Sequence, residues 1–176
     1  MGSHFYVDAQ EVIDELERPD ARKMLEHEAL ARMAYNGPDG LPRVIPIGFL
    51  WNGEKVVVCT AATAPKVRAL LDRPEVALTI DVGDTPDGAK ALLIRGVASV
   101  EIVDGVADEY LAMSSKGLGE ELGEEGIAEF ERQVRKTFDQ MARISIEPRW
   151  ARLYDFGAGR LPSFLAELVE RASREA

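Results

Sequence analysis

Apolar positions recur at helical spacing near the start of the chain and at strand spacing through its middle. From residue 9 to 34, Val12, Ile13 and Leu16 share one face and Met24 and Leu25 resume it after Arg18-Pro19-Asp20, which predicts two short helices. Ala29 to Tyr35 then leads into Asn36-Gly37-Pro38-Asp39-Gly40, a cluster of turn formers between apolar runs and so a hairpin signal. The second arm, Arg43 to Trp51, ends at Asn52-Gly53, a pair that tolerates the positive φ of a tight turn, and a third strand from Glu54 to Ala61 follows directly. Turns this short leave no room for crossover helices, so the three strands are expected to form an antiparallel meander.

Pro65 and Pro74 bracket a short helix through Lys66-Val67-Arg68-Ala69-Leu70-Leu71. Val76 to Val82 alternates as a fourth strand, Gly83 to Gly88 is a polar loop, and Ala91 to Val103 is a long fifth strand. Gly96 inside that strand predicts a bulge or a close backbone approach. Residues 105 to 140 return to helix, Arg143 to Phe156 reads as a sixth strand interrupted at Pro148, and the tail carries Leu161, Phe164, Leu165 and Leu168 as an amphipathic helix. The fold class expected is mainly β with flanking helices (α+β): a six-stranded antiparallel arrangement over 9–156, with the 157–176 helix packed on the same domain. Met1-Gly2-Ser3-His4 resembles an expression remnant, so 1–8 is set aside as a tag or disordered start.

Length and charge narrow the picture. At 176 residues, 46% of them hydrophobic, the chain suits one compact domain with a real core rather than two. Its net charge of −10 disfavours nucleic acid and anionic membrane as partners, since both are bound by clustered Lys and Arg. No apolar run reaches membrane-span length and the start lacks a secretory pattern, so a cytoplasmic location is expected. The charge concentrates in 101–131, where ten acids face only Lys116. This reads as a solvated helical face, or alternatively as a docking surface for a basic partner.

The chemistry available is restricted. With only His4 and His27, histidine triads and multi-histidine metal sites have no material, and no metal is expected. His27 reads as a surface helix residue. Cys59 lies in the apolar run Val56-Val57-Val58-Cys59, which predicts a buried, inert thiol. Gly117, Gly119 and Gly123 have the wrong spacing for a dinucleotide fingerprint, and Glu120 and Glu121 would face the pyrophosphate, so an interrupted helix is the better reading. What remains is the stretch from Arg43 to Arg73. A strand ending in small polar residues and a helix beginning at Lys66 bring free backbone N–H groups and a cation together, a geometry suited to phosphate. Thr60 and Thr63 would add hydroxyls, and Lys66 and Arg68 charge; a proline-capped helix with two surface bases is the plain alternative.

The order of these elements resembles the pyridoxamine 5′-phosphate oxidase-like split-barrel family. The resemblance rests on Arg43-Val44-Ile45-Pro46-Ile47-Gly48-Phe49-Leu50-Trp51, on the Thr-rich loop and Lys-Val-Arg-x-Leu helix from Thr60 to Leu71, and on Arg73-Pro74-Glu75-Val76-Ala77-Leu78, within a span of roughly 20 to 156. It implies a homodimeric split barrel with a flavin at the subunit interface. Backbone around Ile45, Pro46 and Ile47 would face the isoalloxazine ring. Thr60, Ala61, Thr63, Lys66 and Arg68 would serve the phosphate end, with Arg43 assisting. Trp150 would reach the partner's cofactor, with Arg149 or Arg152 beside it; a core tryptophan is the equal alternative. Where the vitamin-forming oxidases carry Ser-Arg-Lys, this chain has Ala64-Pro65-Lys66, and Gly48 stands where they place a lysine. The resemblance therefore implies a member of the broader flavin and deazaflavin oxidoreductase group: an enzyme binding FMN, or alternatively coenzyme F-420, and moving hydride to or from a small organic substrate. No side chain stands out as a catalytic acid or base. A non-catalytic flavin- or haem-sequestering protein is the reading from another class.

Overall fold

The computed structural model describes residues 8–85 and 88–175; the remnant Met1 to His4 and part of the Gly83 to Gly88 loop lie outside the described residues. The element order is α1 (Ala9–Leu16), α2 (Pro19–His27), β1 (Leu30–Asn36), β2 (Pro42–Gly48), β3 (Leu50–Trp51), β4 (Val56–Ala61), α3 (Pro65–Asp72), β5 (Glu75–Val82), β6 (Lys90–Asp104), α4 (Asp108–Thr137), β7 (Gln140–Asp155) and α5 (Ser163–Glu175). The strands form one antiparallel sheet in the order β2-β1-β5-β6-β7-β4-β3, seven strands where the pattern predicts six. The extra strand arises in the arm expected as one piece from Arg43 to Trp51. Its first part pairs with β1 and its last two residues pair with β4, with Phe49 alone between them.

That single-residue link dictates the shape. β2 and β3 occupy opposite edges of the sheet yet are consecutive in the chain, so the sheet curls until its edges approach, and β2 comes against β4. Phe49 at the corner is completely buried, and the Lys116 ammonium lies 4.6 Å from the centre of its ring. Val76, Leu78 and Ile80 of β5, Leu92 and Ile94 of β6 and Ile144, Ile146 and Leu153 of β7 alternate onto the concave side and form the main core with Met33, Val56 and Val58. Val57 and Cys59 point the other way from β4 and pack under α4, on Ala107 and Met113.

Turn chemistry is as expected: Gly40 and Gly53 both take positive φ, and the Asn52 side chain accepts from the Glu54 and Lys55 N–H groups at 3.0 and 2.8 Å. Helical pattern and helix part company at residue 28, because Ala31 and Met33 alternate inward as strand β1 once α2 ends at His27. The sixth strand is not interrupted at Pro148. The ladder absorbs the proline in a bulge, with Gly96 opposite Pro148 and Arg95 opposite Trp150, so that Arg149 is the additional residue. A Cβ at position 96 would stand 2.5 Å from the Glu147 carbonyl oxygen, which is why glycine is required there. The acidic segment spans the end of β6 and most of α4, a helix kinked at Gly123, where φ is 62°. In α5, Leu165 and Ala166 are half-buried while Phe164, Leu168 and Val169 stand exposed. No helix among the described residues is long and apolar enough to cross a membrane.

One buried carboxylate joins the start of the chain to its end. Glu15 on α1 accepts the Leu153 backbone N–H at 2.7 Å, pairs with Arg18 at 2.9 Å, and receives the Arg160 guanidinium from beyond β7. Burial alone would raise this carboxyl, but the Leu153 N–H and the Arg18 and Arg160 guanidiniums outweigh it and hold it below its ordinary value. Its contribution is therefore complete above the ordinary carboxyl range and is lost as pH falls through the lowered native value. Glu15→Ala should cost about 2–3 kcal/mol at pH 7, the worth of charged hydrogen bonds to a buried group. In urea titrations the gap between wild type and variant should close as the pH is lowered toward 3; a gap independent of pH refutes the assignment.

Candidate functional site

The curl of the sheet brings two unlike surfaces close together. One is β2, which pairs with β1 alone and so leaves the backbone polar groups of its other edge without a strand partner. Along it Ile45 and Ile47 turn toward the core, whereas Val44 and Pro46 face outward and are exposed. The three residues matched to ring contacts thus present an open main-chain edge and one exposed proline face.

The second surface is the passage from β4 to α3. Ala64 at the N-cap has no side chain that can cap the helix, and Pro65 follows it. The Ala62 and Ala64 N–H groups are satisfied by Gln140 and Ala61 carbonyls, but the Thr63 and Lys66 N–H groups meet no protein acceptor among the described residues. Nor do the Thr60 and Thr63 hydroxyls or the Lys66 ammonium find a protein partner there. Lys66 is half-buried, and burial holds its ammonium below the usual lysine value with no anion to offset it. A partly desolvated cation beside unpaired N–H and O–H donors at a helix N-terminus fits an anionic oxygen cluster such as a phosphate.

The remaining candidates are distributed differently. Thr63 and Arg68 line a cavity of about 490 Å³ with Pro38, Leu71 and Ile102, and neither Thr60, Ala61 nor Lys66 belongs to its wall. Residues 66 and 68 are two helical steps apart, about 200° around the axis, so Lys66 and Arg68 address opposite sides of α3. Arg43 is taken up by its own hairpin: it pairs with Asp39 at 2.7 Å and donates to the Leu41 and Pro42 carbonyls. Trp150 lines a separate cavity of about 510 Å³ on the outer face of the sheet, whose wall includes no residue of α3. Its ring carries the Arg95 guanidinium at 4.5 Å, a contact that sequence reasoning missed. A lone charge inside Leu92-Leu93-Ile94-Arg95-Gly96 was the available signal. Cys59 is buried as expected, and burial, with Glu109 nearby, pushes its thiol up to about 12, which leaves no thiolate for chemistry near neutrality.

A curled antiparallel sheet whose edge strand β2 comes against β4, with helices flanking it, belongs to the class of split-barrel folds. Residues 18–153 match the family model described as pyridoxamine 5′-phosphate oxidase, and the chain belongs to that family. Among solved structures it is similar to an F-420 reductase, with 26% identity, a TM-score of 0.56, and coverage of 74% of this chain and 94% of that one. It also shares its fold with a conserved hypothetical protein from Mycobacterium tuberculosis, at 20% identity and a TM-score of 0.58 over 92% of this chain and 94% of that one. The haem storage protein HutZ from Vibrio cholerae has the fold too, at 20% identity and a TM-score of 0.54 over 78% of this chain and 93% of that one. No curated protein matches the chain in sequence.

An unpaired, half-buried ammonium is a cost to the unliganded protein. Lys66→Met should therefore raise its stability, by on the order of 0.5–1 kcal/mol at pH 7. Because the native lysine value lies below its ordinary value, wild-type stability should rise with pH through the alkaline range below the ordinary lysine value, and the variant should lack this rise. Chemical denaturation at pH 7 and pH 10 checks both; a destabilised variant shows that the lysine is a structural prop.

Proposed function

We propose that the protein is an FMN-dependent oxidoreductase acting as a homodimer, with the flavin phosphate held at the start of α3 by Lys66, Thr60 and Thr63. The observation that carries this reading is the Lys66 ammonium, desolvated and without a protein anion, at the one end of α3 where the N–H groups are unpaired. Bound flavin would supply the hydride chemistry. The chain's own part is to fix the phosphate by charge and N–H donation, to set the ring against the open edge of β2, and to shape the space above it. Backbone N–H groups on that edge favour negative charge on the ring, by the logic that makes fixed donors effective at developing anions.

The dimer reading is supported by the outer face of the sheet. Val44 is 67% and Leu30 63% exposed there, beside Pro46 and Leu93, an apolar area that a lone small domain has reason to cover. A cofactor between two such faces would meet Trp150 from the second copy.

The similarity to an F-420 reductase favours a second reading, in which the same groove takes the deazaflavin. That coenzyme's polyglutamate tail calls for a continuous basic track. Here Lys66 and Arg68 address opposite sides of α3, and Arg73 is engaged with the Gly37 carbonyl at 2.9 Å. The track is broken, and FMN is the better fit.

Purified protein should be yellow or take up FMN on titration, and should sediment as a dimer at micromolar concentration. Lys66→Ala should weaken FMN binding about ten- to a hundredfold, the equivalent of one charged hydrogen bond, with dimer and fold retained. Unchanged affinity in that variant, with loss in Arg68→Ala or Arg43→Ala, moves the phosphate to another residue. Uptake of F-420 alone establishes the second reading. Uptake of haem alone, or of nothing, overturns both.

A further inference from the structure

The outer face of the sheet holds a cavity that the phosphate-type donors do not reach. It encloses about 510 Å³ and its polar wall consists of Tyr35, Asn36, Glu75, Arg95, Arg149 and Trp150. This volume lies within the range of small-molecule sites. The bulge at Gly96 builds it. With Gly96 opposite Pro148 and Arg95 opposite Trp150, the additional residue Arg149 and its neighbour Trp150 both reach the same recess.

The cationic groups of this wall are not equivalent. Arg149 is already committed to Glu147 at 3.0 Å. Arg95 has no carboxylate or carbonyl acceptor among the described residues, and its guanidinium rests instead over the Trp150 ring at 4.5 Å. A guanidinium seated on an aromatic face keeps its N–H fork in the plane of the group, free to grip a carboxylate with two parallel hydrogen bonds. Contact with the ring favours this one rotamer, which lowers the rotamer entropy to be lost on binding. The amide of Asn36 adds a neutral polar group and Ala34, Ala77 and Val97 an apolar floor. Glu75 is the one acid on the wall, and it is not paired with Arg95. A ligand carrying two negative charges would satisfy one at Arg95 and bring the other toward Glu75 without a partner.

We infer that this cavity binds a planar organic monoanion, an aromatic carboxylate in chemical class, and that Arg95, braced by Trp150, selects it. That the ligand is the substrate of the enzyme rests on the flavin reading above, in which the second copy's cofactor meets this face; the binding itself does not.

Binding can be read without any cofactor. The chain has two tryptophans, and the Trp51 indole N–H is buried with no acceptor among the described residues, so Trp51→Phe removes a group that nothing satisfies and leaves Trp150 as the sole tryptophan, excited selectively at the red edge of its absorption. Titrated into this protein, benzoate should give a saturable change in Trp150 emission, at least tenfold tighter than benzamide or the dianion phthalate. Adding Arg95→Gln should weaken benzoate at least tenfold and leave benzamide unchanged, with the circular dichroism and sedimentation of the parent. Arg95→Lys, which keeps the charge and loses the fork, should fall between, and serves as the test variant if the glutamine form does not fold. The assignment is overturned if benzoate gives no saturable change, if benzamide or phthalate binds as tightly, or if neither Arg95 variant weakens benzoate. FMN uptake with no benzoate response refutes this inference and leaves the cofactor reading standing, whereas benzoate response without FMN uptake does the reverse.

Discussion

The constraint on which the rest of the structure depends is the one-residue step from β2 to β3. Two strands joined through Phe49 alone lie at opposite edges of a seven-strand sheet, and a flat sheet cannot satisfy both pairings. The sheet rolls, its concave side closes on Leu78, Ile80, Leu92, Ile94, Ile144 and Ile146, and Phe49 fills the corner beneath Lys116. Rolling also sets the open edge of β2 near the turn after β4, which is where a ring and a phosphate could be served by one ligand. Site and core follow from the same closure.

Several charges in this molecule are neutralised locally. Arg143 is shared by Glu101 and Glu109, Lys90 by Asp20 and Asp155, and Arg43 by Asp39. Two lysines whose ammonium is held below the usual value by burial have no carboxylate partner among the described residues: Lys116, which donates to the Leu25 carbonyl and lies over Phe49, and Lys66 at the start of α3, which has no protein acceptor there. Native proteins seldom keep a desolvated cation unpaired unless a ligand completes it, because the cost is borne by every unliganded molecule. That cost falls on Lys66, whereas Arg95 is exposed over the Trp150 ring and bears little of it.

Family membership defines the architecture more closely than the activity. Residues 18–153 carry the match, yet proteins similar in fold include an F-420 reductase and a haem storage protein. A rolled sheet with an accessible edge is a general-purpose cradle, and what it holds is decided by few side chains. In this chain Ala64 and Pro65 supply no side-chain donor at the start of α3, which leaves Lys66, Thr60 and Thr63 as the side-chain donors beside it.

Most of the elements were legible in the sequence because their signals are local. Asn52-Gly53 needs no tertiary contact to favour a tight turn, Pro65 and Pro74 delimit α3 by chain geometry, and Gly96 announced the bulge that forms there. Thr60, Thr63 and Lys66 could be singled out because a phosphate-type site is itself a local motif. What only the tertiary structure decided depends on residues distant in the chain. The split of Arg43 to Trp51 into two strands follows from which partner each half meets, and an alternating apolar run cannot state its partner. The engagement of Arg43 by Asp39 depends on a side-chain rotamer, the separation of Lys66 from Arg68 on the cavity each side of α3 faces, and the seating of Arg95 on Trp150 on a ladder register 55 residues long in sequence. Periodicity encodes which face of an element is buried, but which residues finally touch is set by the rolling of the sheet that burial drives.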